Sequence, residues 1–345
     1  MDGMVKSDTI SFYKGKKVFV TGHTGFKGSW LCRMLILAGA DVTGYALLPP
    51  PESLFNLLNL GKEVRSITGD IRDYKKLSGI LHKAQPEILF HMAAQPLVRE
   101  SYKNPRYTYE VNMMGTVNIL EICRDIPSLR SIVNVTTDKV YENNEDGWKF
   151  KESDNLCGSD PYSNSKSCSD IITTCYRQFF NNCGVSTARS GNVIGGGDFA
   201  ANRLVPDLVR ALREGKPAVI RSPKSIRPYQ HVLDCLYGYL LLAKKQYDKK
   251  FEGSYNFGPE DFINNIQLVF MFYDTLRAGM VTTESNGQKE SNVLKLDITK
   301  AKEILGFKPK FNIQKAVELT VKWYKEYLKE GRVSIDNQIM EFINE

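Results

Sequence analysis

The chain has no CxxC pair, few histidines and no apolar run approaching the length of a membrane span. Its seven cysteines, Cys32, Cys123, Cys157, Cys168, Cys175, Cys183 and Cys235, are odd in number and scattered. That argues against a disulfide framework and predicts reduced thiols in a cytoplasmic protein. The four histidines, His23, His82, His91 and His231, lie far apart without ligand spacing, so no metal site is expected. Residues Met1 to Ile10 carry Asp2 and Asp8 with no apolar core, and neither an export signal nor a membrane partner is expected. Internal repeats and low-complexity tracts are also missing.

At 345 residues the chain has room for one large or two modest domains. The net charge of +7 is mild, and lysines such as Lys244, Lys245, Lys249 and Lys250 are spread over helical stretches. They read as solvated faces, so no nucleic-acid partner is expected. A small anionic substrate such as a phosphate ester fits the charge without being selected by it.

Lys16 to Thr21 reads as a strand, followed at once by TGHTGFKGSWL and an apolar helix running to about Ala38, with Gly39 as its stop. Gly22, Gly25 and Gly28 fold the turn tightly, admit a pyrophosphate to the backbone N–H groups and bring helix close to strand. A dinucleotide site is expected there. The second strand, Asp41 to Ala46, ends in Gly44-Tyr45-Ala46-Leu47, with no acid for an adenosine ribose and no arginine for a 2′-phosphate. The residues alone therefore leave NAD and NADP open. A third strand, Arg65 to Gly69, leads into Asp70, which either bonds an adenine amino group or caps the helix beginning near Tyr74. After a fourth strand, Glu87 to His91, the small residues Ala93 and Ala94 let a cofactor pass close to the backbone or simply pack tightly. Helical periodicity over Tyr107 to Arg124 includes Asn112, either a buried structural group or a surface one.

Ser131 to Val135 is a fifth strand, and its C-terminal end delivers Thr136-Thr137-Asp138-Lys139 to the edge where parallel sheets bind ligands. About two dozen residues later, Asp160-Pro161-Tyr162-Ser163-Asn164-Ser165-Lys166 opens a helix with Pro161 in its first turn and Ser159 or Asp160 as cap. Tyr162 and Lys166 share one face. The helix dipole and the ammonium both favour a phenolate, which predicts a tyrosine ionising well below its usual ~10 and able to act as a base. The two constellations point into one crevice and favour catalysis over packing. A sixth strand, Val185 to Arg189, precedes a glycine-rich loop, Ser190 to Asp198; helices are expected over Arg203 to Arg213, Val232 to Lys244, Thr299 to Leu305 and Ile313 to Glu330, with a late strand at Ser254 to Phe257. Arg227 is either a phosphate ligand or a surface ion-pair partner.

The succession of a βαβ unit carrying TGxxGxxG and a later YxxxK helix resembles the extended short-chain dehydrogenase/reductase family over nearly the whole chain. Within it, VFVTGHTGFKGSWL, TTDKVYEN, DPYSNSK, GNVIGGGDF, RPYQHVL, NFGP and LKLDITKAKEILGF resemble the branch of 4,6-dehydratases acting on CDP-glucose. The resemblance implies an α/β fold: a Rossmann doubly wound parallel sheet, residues 11–190 plus 230–258, with a smaller C-terminal nucleotide-sugar-binding domain, residues 191–229 plus 259–345. It implies NAD held by Gly22, Thr24, Gly25, Phe26, Gly28, Asp70, Ile71, Ala93, Ala94, Gln95, Tyr162 and Lys166. It also implies a nucleotide-sugar substrate contacted by Asn192, Gly197, Arg203, Arg227 and His231, a homodimer or higher homo-oligomer, and a role in deoxysugar supply for lipopolysaccharide O-antigen.

The implied reaction converts CDP-D-glucose to CDP-4-keto-6-deoxy-D-glucose and water. Tyr162 takes the hydroxyl proton at carbon 4, Thr137 bonds that oxygen, and Asp138 protonates the hydroxyl leaving carbon 6. Lys139 stands where dTDP- and GDP-sugar dehydratases carry Glu, and either removes the carbon 5 proton or orients substrate while Tyr162 moves it. Tyr229 stands where this branch tends to have Trp, and Val140 with residues 144–148 alters a neighbouring loop. A 4-epimerase or 4-dehydrogenase would share the glycine turn, Tyr162 and Lys166 but not the acid Asp138. A dehydratase of another nucleotide sugar and a non-catalytic dinucleotide sensor are the other readings.

Overall fold

The structure, a computed structural model, describes residues 8–143, 147–249, 251–284, 292–331 and 333–345. The apolar runs form one parallel sheet of seven strands: β1 (Lys17–Thr21), β2 (Asp41–Ala46), β3 (Arg65–Thr68), β4 (Ile88–His91), β5 (Ser131–Val135), β6 (Gly184–Ser190) and β7 (Gly253–Phe257). Their order is β7-β6-β5-β4-β1-β2-β3, with every neighbouring pair parallel. Central strands β4, β5 and β6 are buried along their whole length, with their polar side chains bonded inside, as Asn134 is to Ser169 and Thr173 and Arg189 to Asp170.

Side-chain alternation splits the core between the two faces. Val18, Val20, Phe90 and Val133 enter one cluster, whereas Phe19, Leu89, Ile132 and Val185 enter the other. The chain runs outward from β1 to β2 and β3, then returns to place β4 on the other side of β1. That reversal opens a crevice between the C-terminal ends of β1 and β4, the place where such sheets hold ligands.

Beyond β6 the chain adds three small strand pairs. Val193–Ile194 pairs in parallel with Gln230–His231, Ala218–Ile220 in parallel with Val281–Thr283, and Ile226–Arg227 antiparallel with Ile263–Asn264. Helices Leu204–Arg213, Asn265–Leu276 and Ile313–Glu330 accompany them, while Val232–Asp248 packs against β5 and β6. No helix among the described residues is long and apolar enough to cross a membrane.

The structure departs from the sequence reading in several elements. The helix expected over Tyr107 to Arg124 is a continuous run, Pro105–Tyr109, a π turn at Glu110–Met114 and Gly115–Cys123. Asn112 sits in that π turn, buried, and its amide bonds the Gln95 carbonyl and the Ser165 hydroxyl. Helices Val98–Lys103, Asn265–Leu276 and Asp336–Asn344 were not anticipated. Of the altered loop, residues 144–146 lie outside the described residues.

Candidate active site

The glycine turn is built by close approach. Gly22 has φ 73°, and a Cβ on it would lie 2.8 Å from the Ala93 backbone nitrogen. A Cβ on Gly28 would lie 2.2 Å from the Gly22 carbonyl oxygen. Both positions exclude any side chain. Gly25 caps helix Phe26–Leu37 without a side-chain bond, so the first helical N–H groups face the crevice. A cavity of about 250 Å3 follows, lined by Gly22, Thr24, Phe26, Asp70, Ile71 and Ala93 among others. Its shape, its bare backbone and its helix terminus fit a dinucleotide.

Asp70 is held by Arg72, whose backbone N–H and guanidinium both bond its carboxylate, and this holds the carboxyl below its usual range. It does not cap the next helix. Asp73 does, accepting from the Lys76 amide at 3.0 Å. Gln95 belongs to the scaffold: its side chain turns away from the cavity to Thr108 and Leu97. At the end of β2 no acid appears; Gly44 leaves room for the His23 ring, whose Nε2 meets the Ser66 hydroxyl at 2.7 Å.

A second cavity, about 340 Å3, joins the first at Phe26, Lys27, Met92, Ala94 and Arg203, which line both. Thr137, Asp138, Lys139, Tyr162 and Lys166 all face it. Asp160 caps helix Pro161–Tyr176 by accepting from the Ser163 amide, which sets Tyr162 in the first turn. Lys166, one turn on, donates to the Val135 carbonyl at 2.9 Å. The loop after β5 is tied to the same helix, because the Thr136 hydroxyl donates to Asp170 at 3.0 Å. Asp170 in turn receives two bonds of 2.8 Å from Arg189, a fully buried bidentate pair.

Thr137 donates its hydroxyl to Asp138 Oδ1 at 2.9 Å. Asp138 Oδ2 is buried and has no partner among the described residues. Burial raises the Asp138 carboxyl above its ordinary value, against the opposing pull of Lys139 and Thr137. Such a group is suited to give a proton. The expectation for Tyr162 is corrected: burial pushes its phenol up to about 12, outweighing the Thr137 hydroxyl beside it. Burial, with the Lys27 ammonium nearby, brings Lys166 down to about 7. The dipole and lysine arguments omitted the cost of charging a phenol away from water.

Of the residues expected at the substrate, Asn192, Arg203 and Arg227 line the larger cavity, and Arg203 pairs with Asp198 at 2.9 Å. Gly197 and His231 do not. Gly197, at φ 83°, allows the loop to press on Leu54. His231 is a core residue whose Nδ1 accepts from the Leu233 amide, with its ring edge-on to Trp30 and Phe311. Tyr229 faces the cavity and donates to Asn265 at 2.7 Å.

Sequence reasoning missed Lys27, Asn265, Arg99 and Arg221, all of which line this cavity. Lys27 was visible inside the glycine turn. The Arg221 position had no local signal, since a short strand in a loop-rich stretch brings it there. The cavity wall carries Lys27, Arg99, Lys139, Lys166, Arg203, Arg221 and Arg227 against three acids, Asp138, Asp198 and Asp207.

Comparison with known proteins agrees with this geometry. The chain is 43% identical to a CDP-glucose 4,6-dehydratase of Salmonella typhimurium, over 92% of this chain and 93% of that protein. The structure of DesIV, a dTDP-glucose 4,6-dehydratase of Streptomyces venezuelae solved with NAD, aligns with TM-score 0.80 at 26% identity, over 90% of this chain and 97% of that one. A UDP-glucose-4-epimerase of Stenotrophomonas maltophila shares the fold, with TM-score 0.83 at 20% identity over 91% and 99% of the two chains. The sequence pattern of the GDP-mannose 4,6 dehydratase family covers residues 19–320, from β1 into the first half of helix Ile313–Glu330. With both cavities inside that span, the chain belongs to the GDP-mannose 4,6 dehydratase family.

Proposed function

We propose that the protein is a nucleotide-sugar 4,6-dehydratase that uses NAD to convert CDP-D-glucose to CDP-4-keto-6-deoxy-D-glucose and water. Asp138 carries this reading: a buried acid with one free oxygen, held above the usual carboxylate range, shares a cavity with Tyr162 and Lys166. A 4-epimerase or 4-dehydrogenase has no step that needs such an acid. The likeness to the Salmonella CDP-glucose enzyme supports the choice of nucleotide.

Gly22, Thr24, Gly25, Phe26, Gly28, Asp70, Ile71, Ala93 and Ala94 would hold the dinucleotide. When bound, NAD supplies the hydride acceptor for carbon 4 and the hydride donor for carbon 6. Tyr162 takes the proton of the carbon 4 hydroxyl, the bias of burial toward the neutral phenol being opposed by the positive charge that bound NAD and Lys166 would bring to the cavity, and Thr137 bonds the same oxygen. The resulting ketone acidifies carbon 5. Asp138 then gives its proton to the hydroxyl departing from carbon 6, while the carbon 5 proton goes to Lys139 in its neutral form, or to Tyr162 with Lys139 orienting the substrate. Loss of water across carbons 5 and 6 follows, and protonation at carbon 5 completes the product.

Residues 11–190 plus 230–258 form the dinucleotide lobe and 191–229 plus 259–345 the sugar-nucleotide lobe on this reading. A homodimer in the cytoplasm, feeding deoxysugar assembly for O-antigen, completes it. The test is incubation of the purified protein with CDP-, UDP-, dTDP- and GDP-glucose, followed by mass spectrometry. Loss of one water from CDP-glucose in preference to the others is expected. Epimerised or oxidised sugar with no water lost would contradict the role given to Asp138.

A further inference from the structure

Arg99 and Arg221 line the larger cavity from elements far apart in the chain. Arg99 lies in the first turn of helix Val98–Lys103, which follows β4, and Arg221 directly follows the strand Ala218–Ile220. Their NH1 atoms converge on one neutral acceptor, Asn202 Oδ1, each at 3.4 Å. Asn202 is fixed for this position by a left-handed backbone, φ 63°, and by its amide bond to Asp207. Neither guanidinium pairs with a carboxylate among the described residues.

A bond of 3.4 Å is at the long limit for N–H···O, and each guanidinium carries five donors in a planar fork. A single amide oxygen therefore leaves most donors of both forks open to solvent or to a ligand and holds two like charges close together. Basic residues on this wall outnumber acidic ones seven to three, so the wall favours an anion. Guanidinium forks match phosphate oxygens two at a time, and a diphosphate offers enough oxygens for both. The catalytic group Tyr162 lies in the same cavity, so a sugar reacting there has its attached diphosphate within the cavity as well.

We propose that Arg99 and Arg221 form a two-sided clamp for the diphosphate of the nucleotide-sugar substrate, with Asn202 Oδ1 holding the clamp in register until the diphosphate takes its place. The proposal rests on the reading of the protein as a nucleotide-sugar enzyme. It adds two positioning residues, one from the sheet side and one from the C-terminal side. Ligand binding thereby bridges the two parts of the chain that wall the cavity.

Calorimetric titration of the NAD-loaded protein with CDP and with CMP tests it, using Arg99→Gln and Arg221→Gln. The wild type is expected to prefer CDP, and each variant to lose about tenfold or more of CDP affinity, with the preference over CMP shrinking. In turnover, KM for the nucleotide sugar rises more than kcat falls, and Arg→Lys variants recover part of the loss. NAD affinity stays at the wild-type value. An unchanged CDP-over-CMP preference in both variants overturns the clamp, as does a fall in kcat at constant KM. UDP, dTDP and GDP run alongside separate the two claims. If one of these binds best and still depends on both arginines, the clamp holds and the choice of CDP-glucose fails.

Discussion

Lys166 donates its ammonium to the carbonyl oxygen of Val135 at 2.9 Å, joining the helix that carries Tyr162 to the end of β5. The bond fixes the spacing between Tyr162 and the Thr137–Asp138 pair, which the loop after β5 delivers. It also sets Lys166 in the cavity that Tyr162 lines, and burial there governs the protonation of both.

Asp138→Asn keeps the shape and removes the proton. Oxidation at carbon 4 should continue while water loss slows by about 10²–10⁴-fold, the usual contribution of a positioned acid. Rapid mixing with CDP-glucose, followed by absorbance of the reduced nicotinamide, should show a transient the wild type lacks. Equal, undiminished rates for both steps would remove Asp138 from the mechanism.

Lys27→Met should move the titration of Lys166. Burial is the larger cause of its depressed value and the Lys27 ammonium the next, so deleting that charge makes the Lys166 proton harder to remove. Its pKa, about 7 in the wild type, therefore rises. The pH profile of carbon 4 oxidation should shift to higher pH, and Lys27→Arg should restore it. A profile that does not move would mean the two cations are independent.

Asp170→Ala should destabilise the fold by about 3–5 kcal/mol, because it leaves the Arg189 guanidinium buried without its counter-charge. Thr136 loses its acceptor at the same time, which loosens the loop holding Thr137 and Asp138. The urea midpoint reads the first effect. Replacing both members of the pair with apolar residues should recover much of it.

Asp234 gives a pH dependence of stability. Burial raises its carboxyl to about 7 in the fold, although it accepts the amides of Lys310 and Phe311. An unfolded aspartate ionises near ~3.9, so between these values the folded chain binds more protons and stability falls as pH rises through the window. Asp234→Asn keeps an acceptor and cannot ionise. Its melting temperature should drop less than the wild type's between pH 5 and 8, and identical slopes would contradict the assignment.

Strands such as β1 and β4 were legible because buried strands read as short apolar runs, and the glycine turn because Gly22 and Gly28 have no room for a side chain. The helix Asn265–Leu276 was readable and overlooked: Asn264 and Gln267 form a complete capping box at its start. The small strand pairs carry two or three residues each, too few for any periodicity. Among the residues expected at the site, those at the ends of β1 and β5 or near the starts of helices line the two cavities. His231, Gln95 and Gly197 did not, because whether a side chain faces a cavity or the core depends on contacts distant in sequence, such as Trp30 and Phe311 around His231. Charge state was the least legible property. Burial, invisible in a sequence, decides the direction for Tyr162, Lys166 and Asp138 alike.

The central claim is an elimination carried out in this cavity on a sugar oxidised at carbon 4. Proton NMR and mass spectrometry of the product formed from CDP-glucose in heavy water test it most directly. The account predicts loss of one water, a ketone at carbon 4 and one deuterium at carbon 5, with none of these from Tyr162→Phe. A product that keeps all its oxygen, or that forms without deuterium at carbon 5, would contradict it.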